Sequence, residues 1–291
     1  MDVEEITTRL ARRFGPGVAQ WSAGVPALAA DLAARWGLTL GAPFSQGASS
    51  VALRCHLPDG TPAALKLSPD RGFLAEQVAM LRLFAPSGRV PAVLATDQHA
   101  VLMEAVRPGI AADELASPPS PHQWADLLAA LHATAAPADP PPHLRARCEE
   151  FYARIGRRLA DPAIGARISN ATWNRSMDRC HALLATERTR VLLHGDLHLG
   201  NVLDGGPTRG LVAIDPKVHV GDPCFDAVDY VLDAAGREGV AGRCHALAEA
   251  HGLDPDRLHE WCRVVAPVTA VSLVAAGNAE PAVAELLALA R

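Results

Sequence analysis

The stretch Val191-Leu192-Leu193-His194-Gly195-Asp196-Leu197-His198-Leu199-Gly200-Asn201-Val202-Leu203 joins two short apolar runs through a polar loop. Asp196 and Asn201 stand five apart, each directly after a glycine. Gly195 and Gly200 offer backbone angles that other residues avoid, which lets both side chains converge on one point. A carboxylate at such a point can accept a proton from an attacking hydroxyl. An amide oxygen beside it can hold a hard, oxygen-seeking cation.

Downstream, Gly205-Gly206-Pro207 reads as a turn between strands over 201–203 and 211–214. The second strand runs into Ile214-Asp215-Pro216-Lys217, with Asp215 nineteen residues after Asp196. A carboxylate at a strand end just past a hairpin suits a second ligand for magnesium, which takes one or two carboxylates and completes its shell with phosphates and water.

Upstream, residues 1–36 carry apolar residues at helical spacing. The period then changes. Residues 38–44, 51–57 and 63–67 read as strands, 73–84 as a helix, and 90–95 and 100–104 as two more strands. Lys66 closes the strand Ala63-Ala64-Leu65-Lys66, and Glu76 lies on the helix that follows, where it can pair with it. The segment 45–50 between the first two strands supplies Ser49 and Ser50 with their amides, groups suited to phosphate oxygens. From residue 105 onward helices dominate, at 121–135, 145–160, 172–187, 225–235, 240–251, 255–276 and 279–290, interrupted by the strands around the Asp196 loop. Taken singly, a His-Gly-Asp is a turn and a lysine on a strand is solvated. The order is what decides: strand, loop, strand with Lys66, helix with Glu76, connector, Asp196 to Asn201, hairpin, Asp215.

The order gives an α+β class and a two-lobed, protein-kinase-like fold around a cleft. A small β-rich N-lobe spans 1–104, with a helical extension over 1–36, and a mainly helical C-lobe spans 105–291. The D-x-x-x-x-N spacing is that of kinase catalytic loops. Gly195 stands where protein kinases carry the Arg of H-R-D, and no Ser or Thr lies between Asp215 and Asp233, so no activation-loop switch is expected. No G-x-x-x-x-G-K-[ST] occurs, which excludes a P-loop nucleotide-binding site.

His-Gly-Asp-Leu-His-Leu-Gly-Asn-Val-Leu, followed by Ala-Ile-Asp-Pro-Lys and Gly-Asp-Pro-Cys-Phe-Asp, resembles the aminoglycoside phosphotransferase superfamily. Ile-Asp-Pro-Lys is similar to the branch of streptomycin 6-phosphotransferases and hydroxyurea-resistance kinases. The resemblance covers about residues 40–235. It implies ATP and Mg2+, with Asp196 as catalytic base and Asn201 and Asp215 on the metal. Lys66, paired with Glu76, would touch the phosphates, and Met103 to Val106, through Glu104 and Val106, would hold the nucleobase. Asp226 and His194 would brace the catalytic loop. Lys217 either neutralises the transferred phosphate or is solvated.

Asp226, Asp229 and Asp233 recur at i, i+3 and i+7 on one expected helix, with Asp222 just before it. Either this face, through Asp222, Asp229 and Asp233, lines the site of a polycationic acceptor, or it is solvated. The first reading favours a streptomycin-like antibiotic; hydroxyurea, viomycin or a metabolite such as choline or a sugar are the alternatives, because one fold carries many acceptors. A zinc site on His194, Asp196 and His198 would need a helix, which the two glycines oppose.

Composition fits this reading. Apolar residues make up 49% and charged residues 20% of 291 residues, enough for a sizeable core, with a net charge of −5. No basic cluster suggests a nucleic-acid partner. No long uncharged apolar run suggests a membrane span. The six cysteines are scattered without a C-x-x-C pair, and the start is acidic rather than signal-like, so a cytoplasmic monomer acting on a small molecule is expected.

Overall fold

The computed structural model describes residues 2–44, 49–277 and 280–291. The chain divides into two compact units, Met1–Ala85 with Val90–Gly109, and Pro86–Arg89 with Ile110–Arg291.

The first unit opens with α1 (Val3–Phe14) and α2 (Val18–Trp36). The Asp2 carboxylate caps α1 by accepting from the amides of Glu4 and Glu5, and α2 stops at Gly37 in the left-handed region. Five antiparallel strands follow: β1 (Thr39–Pro43), β2 (Val51–His56), β3 (Pro62–Leu67), β4 (Val93–Asp97) and β5 (Ala100–Glu104), in the order β1-β2-β3-β5-β4. Between β3 and β4 lies α3 (Arg71–Phe84), capped by Asp70. Side chains alternate across the sheet. Leu53, Leu65, Leu67 and Leu102 pack with Leu10, Val25 and Leu32 of α1 and α2. On the other face Val101 packs with Leu74 and Val78 of α3. Lys66 pairs in register with Val101, so it belongs to the α3 face and is itself buried.

The second unit contains α4 (Pro121–His132), α5 (Leu144–Gly156), the short α6 (Pro162–Gly165) and α7 (Asn170–Ala185). Two small two-stranded sheets come next: β6 (Val191–Leu193) pairs with β9 (His219–Gly221), and between them the hairpin β7 (Val202–Asp204) pairs with β8 (Leu211–Ala213). The unit ends in α9 (Phe225–Leu232), α10 (Val240–His251), α11 (Pro255–Ala275) and α12 (Ala282–Leu289). A capping box between Ser120 and Gln123, with Pro121 in the first turn, starts α4. Trp124 of α4 stacks on Tyr230 of α9 at 4.6 Å, and the Tyr230 hydroxyl donates to the Pro119 carbonyl at 2.7 Å, so the ring's one polar atom is satisfied in the core. All six cysteines are buried free thiols.

Two local expectations change. The stretch at Gly205-Gly206-Pro207 is not a plain turn: it winds into the one-turn helix α8 (Gly206–Arg209), with proline in its first turn and Gly210 at its end. The strand His219–Gly221 was not expected, because three residues carry too little alternation to be read; it exists because β6 needs an edge partner.

Candidate active site

The second unit holds the loop between β6 and the short 3-10 turn Leu199–Asn201. Its backbone is fixed from below by Asp226 in the first turn of α9. One Asp226 oxygen accepts from the His194 amide at 2.7 Å and the other from the Gly195 amide at 2.8 Å. Burial pushes the Asp226 carboxyl up, but His132 Nε2 at 3.2 Å, the nearby His194 and the loop amide outweigh it, and the group stays below its ordinary value. His194 is fully buried with Nε2 3.0 Å from the Ile214 carbonyl oxygen, and burial lowers its pKa, so it is a neutral brace. Gly195 has φ +77° and lies against the Lys217 carbonyl oxygen, where any Cβ would collide. Gly200 needs no such angle; it sits in the turn, packed against His198 and Asp113.

Two backbone bonds stitch the loop to the Asp215 turn: the Lys217 amide donates to the His194 carbonyl at 2.8 Å, and the Ile214 amide to the Asn201 carbonyl at 2.8 Å. Asp215 itself is held at φ 56°, the single non-glycine residue at positive φ among those described, a conformation that costs energy and persists only where the surroundings impose it.

Asp196 is a partly exposed carboxylate between two cations. Arg147 of α5 donates to Oδ1 at 2.7 Å, and Lys217 Nζ lies 2.8 Å from Oδ2. Burial raises the carboxyl's pKa, but Lys217 and Arg147 more than reverse this, so Asp196 is an anion well into acid. Asn201 Nδ2 donates to the Asp196 carbonyl oxygen at 2.9 Å and lies 3.4 Å from Oδ2. With its nitrogen so engaged, the Asn201 amide keeps its oxygen for a hard cation. That donor set, one amide oxygen stitched to one carboxylate of the Asp215 turn, fits magnesium, which leaves most of its shell to phosphates and water. No group of three or more His, Cys, Asp or Glu suited to a metal occurs among the described residues. The zinc alternative fails on geometry, since His194 is committed to Ile214 while His198 is exposed.

The acidic face separates into three fates. Asp222 is buried: it accepts from the Cys224 amide at 3.0 Å, from Trp261 Nε1 at 2.7 Å and from Arg257. It ties α9 to α11 and is not open to an acceptor, which corrects the expectation. Asp233 lies beyond the end of α9 and pairs with Arg237 and Arg243, so it too is committed. Asp229 remains. Burial raises its pKa, which His198 opposes and Asp196 increases.

The other candidates belong to the first unit. Ser45 to Ala48 lie outside the described residues. Ser49 Oγ accepts from Arg13 of α1 at 3.3 Å, and its carbonyl accepts from Ser68 Oγ at 2.9 Å. Ser50 is buried, its carbonyl accepting from Arg9 at 3.3 Å. Lys66 Nζ lies 5.6 Å from the Phe73 ring centre, within cation–π range. The expected Lys66–Glu76 ion pair is not formed among the described residues. Leu74, Val78 and Leu81 make the buried stripe of α3, and Glu76 falls on the exposed side of the helix. Glu76→Gln is accordingly expected to shift stability by less than about 0.5 kcal/mol, as surface substitutions do; thermal denaturation checks it. In the segment expected to hold the nucleobase, the Glu104 amide is taken by the Ala92 carbonyl at 2.9 Å, whereas the Val106 amide makes no backbone hydrogen bond among the described residues.

Two residues were missed from sequence. Arg147 is 49 residues before Asp196, inside a helix whose charge run reads as solvated, yet it is buried. His132, 94 residues before Asp226, ends the apolar α4 and completes the brace. Neither has a local signature.

Comparison with known proteins agrees with the fold. A family described as aminoglycoside/hydroxyurea antibiotic resistance kinase matches residues 35–277. Streptomycin 6-kinase of Streptomyces glaucescens is 34% identical over 272 residues, 89% of this chain and 86% of that protein. Hydroxyurea phosphotransferase of Kitasatospora aureofaciens is 32% identical over 244 residues, 82% of this chain and 70% of that protein. Among solved structures, macrolide 2'-phosphotransferase from Brachybacterium faecium superposes with a TM-score of 0.59 at 21% identity, covering 92% of this chain and 98% of that one. Aminoglycoside phosphotransferase APH(4)-Ia, solved with ADP and hygromycin B, gives 0.57 at 16%, covering 90% and 95%. The structural likenesses establish the kinase-like fold; the match over most of the chain establishes more, and this protein belongs to the aminoglycoside/hydroxyurea antibiotic resistance kinase family.

Proposed function

We propose that the chain transfers the γ-phosphate of ATP, with Mg2+, to a hydroxyl of a streptomycin-like antibiotic. The observation that carries this is Asp196, an anionic carboxylate whose neighbour Asn201 is stitched by backbone to the turn of Asp215. In this reading the acceptor oxygen bonds to the γ-phosphorus as the bond to ADP breaks, and the hydroxyl proton passes to Asp196. Magnesium, when bound, neutralises phosphate charge, and Asn201 and Asp215 are the residues that would hold it. Residues 1–104 serve the nucleotide, Lys66, Ser49 and Ser50 at its phosphates and the Glu104 to Val106 segment at its base. Residues 105–291 serve catalysis and the acceptor.

Asp229 is the acidic residue of that face without an ion-pair partner among the described residues, and the likeness to streptomycin 6-kinases supports a cationic acceptor. The likeness to hydroxyurea phosphotransferase supports hydroxyurea as a second acceptor. No helix among the described residues is long and apolar enough to cross a membrane. An ADP-release assay over streptomycin, other aminoglycosides, hydroxyurea, viomycin and common metabolites tests the proposal. ADP formed with streptomycin, lost on chelation and restored by magnesium, is the expected result; turnover with a metabolite alone overturns it.

A further inference from the structure

Both oxygens of Asp196 are occupied, by cations of different standing. Arg147 is held on three sides, by Asp196 Oδ1, by the Gly195 carbonyl at 2.9 Å from its Nε, and by Glu150, and its side chain is 8% exposed. A planar guanidinium so enclosed is a fixture. Lys217 is 47% exposed, and Asp196 is its one ion-pair partner among the described residues. An exposed ammonium on a flexible stem is easily exchanged. An acceptor hydroxyl has to reach the same carboxylate, and at Oδ2 it meets Lys217.

The sequence adds an independent pointer. Of the 27 Lys and Arg residues two are lysine, Lys66 and Lys217. In a chain that otherwise uses arginine for its positive charge, this position carries the compact, mobile cation rather than the rigid fork.

We propose that Lys217 is a placeholder. Without acceptor it fills Asp196 Oδ2 and keeps water from being activated there; the acceptor hydroxyl displaces it, and the ammonium moves to the charge of the phosphoryl group in transfer. Arg147 is the positioning residue that holds Oδ1 throughout. The reaction so suppressed is hydrolysis: a water oxygen bonds to the γ-phosphorus, the bond to ADP breaks, the water proton passes through Asp196 to solvent, and ADP and phosphate leave. The inference rests on the phosphotransferase reading above.

The test uses the full chain with ATP and magnesium, measuring phosphate release without acceptor and ADP release with streptomycin, for wild type, Lys217→Met, Lys217→Arg, Arg147→Met and Arg147→Lys. Lys217→Met is expected to raise the ratio of hydrolysis to transfer by about tenfold or more, a part of what a general base supplies, with the KM for ATP little changed. Lys217→Arg should restore part of the wild-type ratio. Arg147→Met should lower hydrolysis and transfer together, with partial rescue by lysine. In a chain with two lysines, the Lys217 side-chain carbon signal, assigned with Lys217→Arg, should shift when streptomycin joins the complex with a non-hydrolysable ATP analogue. Hydrolysis and transfer falling by one factor in Lys217→Met, or an unchanged ratio, overturns the placeholder while leaving the phosphotransferase reading standing. A wild-type chain that forms no ADP with or without acceptor overturns both.

Discussion

Asp196→Ala is expected to lower turnover by about 10²–10⁴-fold while nucleotide binding is retained. The size follows from what the carboxylate does in its surroundings. Lys217 and Arg147 keep it ionised, so it is a weak base with a fixed position rather than a strong base. Phosphoryl transfer passes through a loose transition state in which little proton transfer is needed until the bond to phosphorus forms. A weak base that orients the hydroxyl and receives its proton late suits that chemistry. The substitution also leaves Lys217 without its carboxylate and removes one of the three partners of Arg147. Asp196→Asn separates the two effects, since it keeps the shape and loses the charge. Steady-state ADP release with streptomycin, beside titration with a non-hydrolysable ATP analogue, measures both. Wild-type turnover in either variant removes Asp196 from the chemistry.

What could be read in advance follows from how local each signal is. Asp196, Asn201 and Asp215 were legible because their spacing is fixed by one loop and one hairpin. The strand carrying Lys66 was legible because alternation in β2 and β3 has a period of two. The acidic face misled for a definable reason. Spacing of i, i+3 and i+7 places residues on one face only while a helix lasts, and α9 ends at Leu232, one residue before Asp233. Asp222 precedes the helix, and Asp226 faces inward. Glu76 misled because the buried stripe of α3 is set by Leu74, Val78 and Leu81, two or more positions out of phase with it. Arg147 and His132 act on groups 49 and 94 residues away, so only the packing of α4 and α5 against the loop reveals them. The missing H-R-D arginine gains a meaning from this. Arg147 brings a guanidinium to the Asp196 loop from another helix, and its partners are the Asp196 carboxylate, a backbone carbonyl and Glu150, none of which requires a phosphorylated residue.

Asp226→Ala is expected to act through the fold. Its carboxylate is buried and serves three donors, the amides of His194 and Gly195 and the His132 ring. Alanine leaves all three without a partner in the core, a loss of about 1–3 kcal/mol for each buried group left unsatisfied. For a protein of this size that lowers the melting temperature on the order of 10 °C. Asp226→Asn keeps one acceptor and turns an NH2 toward a donor, so it should be destabilised as well. The pH dependence follows from the direction of each shift. The Asp226 carboxyl is below its ordinary 3.8 when folded, so its contribution is present above the carboxylate range and is lost as acid protonates it. Burial holds His194 below its ordinary 6.5, so the unfolded chain takes up that proton first, and stability falls as pH drops below about 6.5. Wild type should therefore lose stability from mildly acid pH downward, and Asp226→Ala should lack the steeper part below the carboxylate range. Activity is expected to fall in Asp226→Ala as well, because the loop that carries Asp196 is no longer fixed. The contrast with Asp196→Ala then sorts the two carboxylates: Asp196→Ala loses turnover with the smaller fall in melting temperature, whereas Asp226→Ala loses stability first and turnover with it. An Asp226→Ala chain melting within about 2 °C of wild type, less than 1 kcal/mol at this size, would show that the brace lies elsewhere.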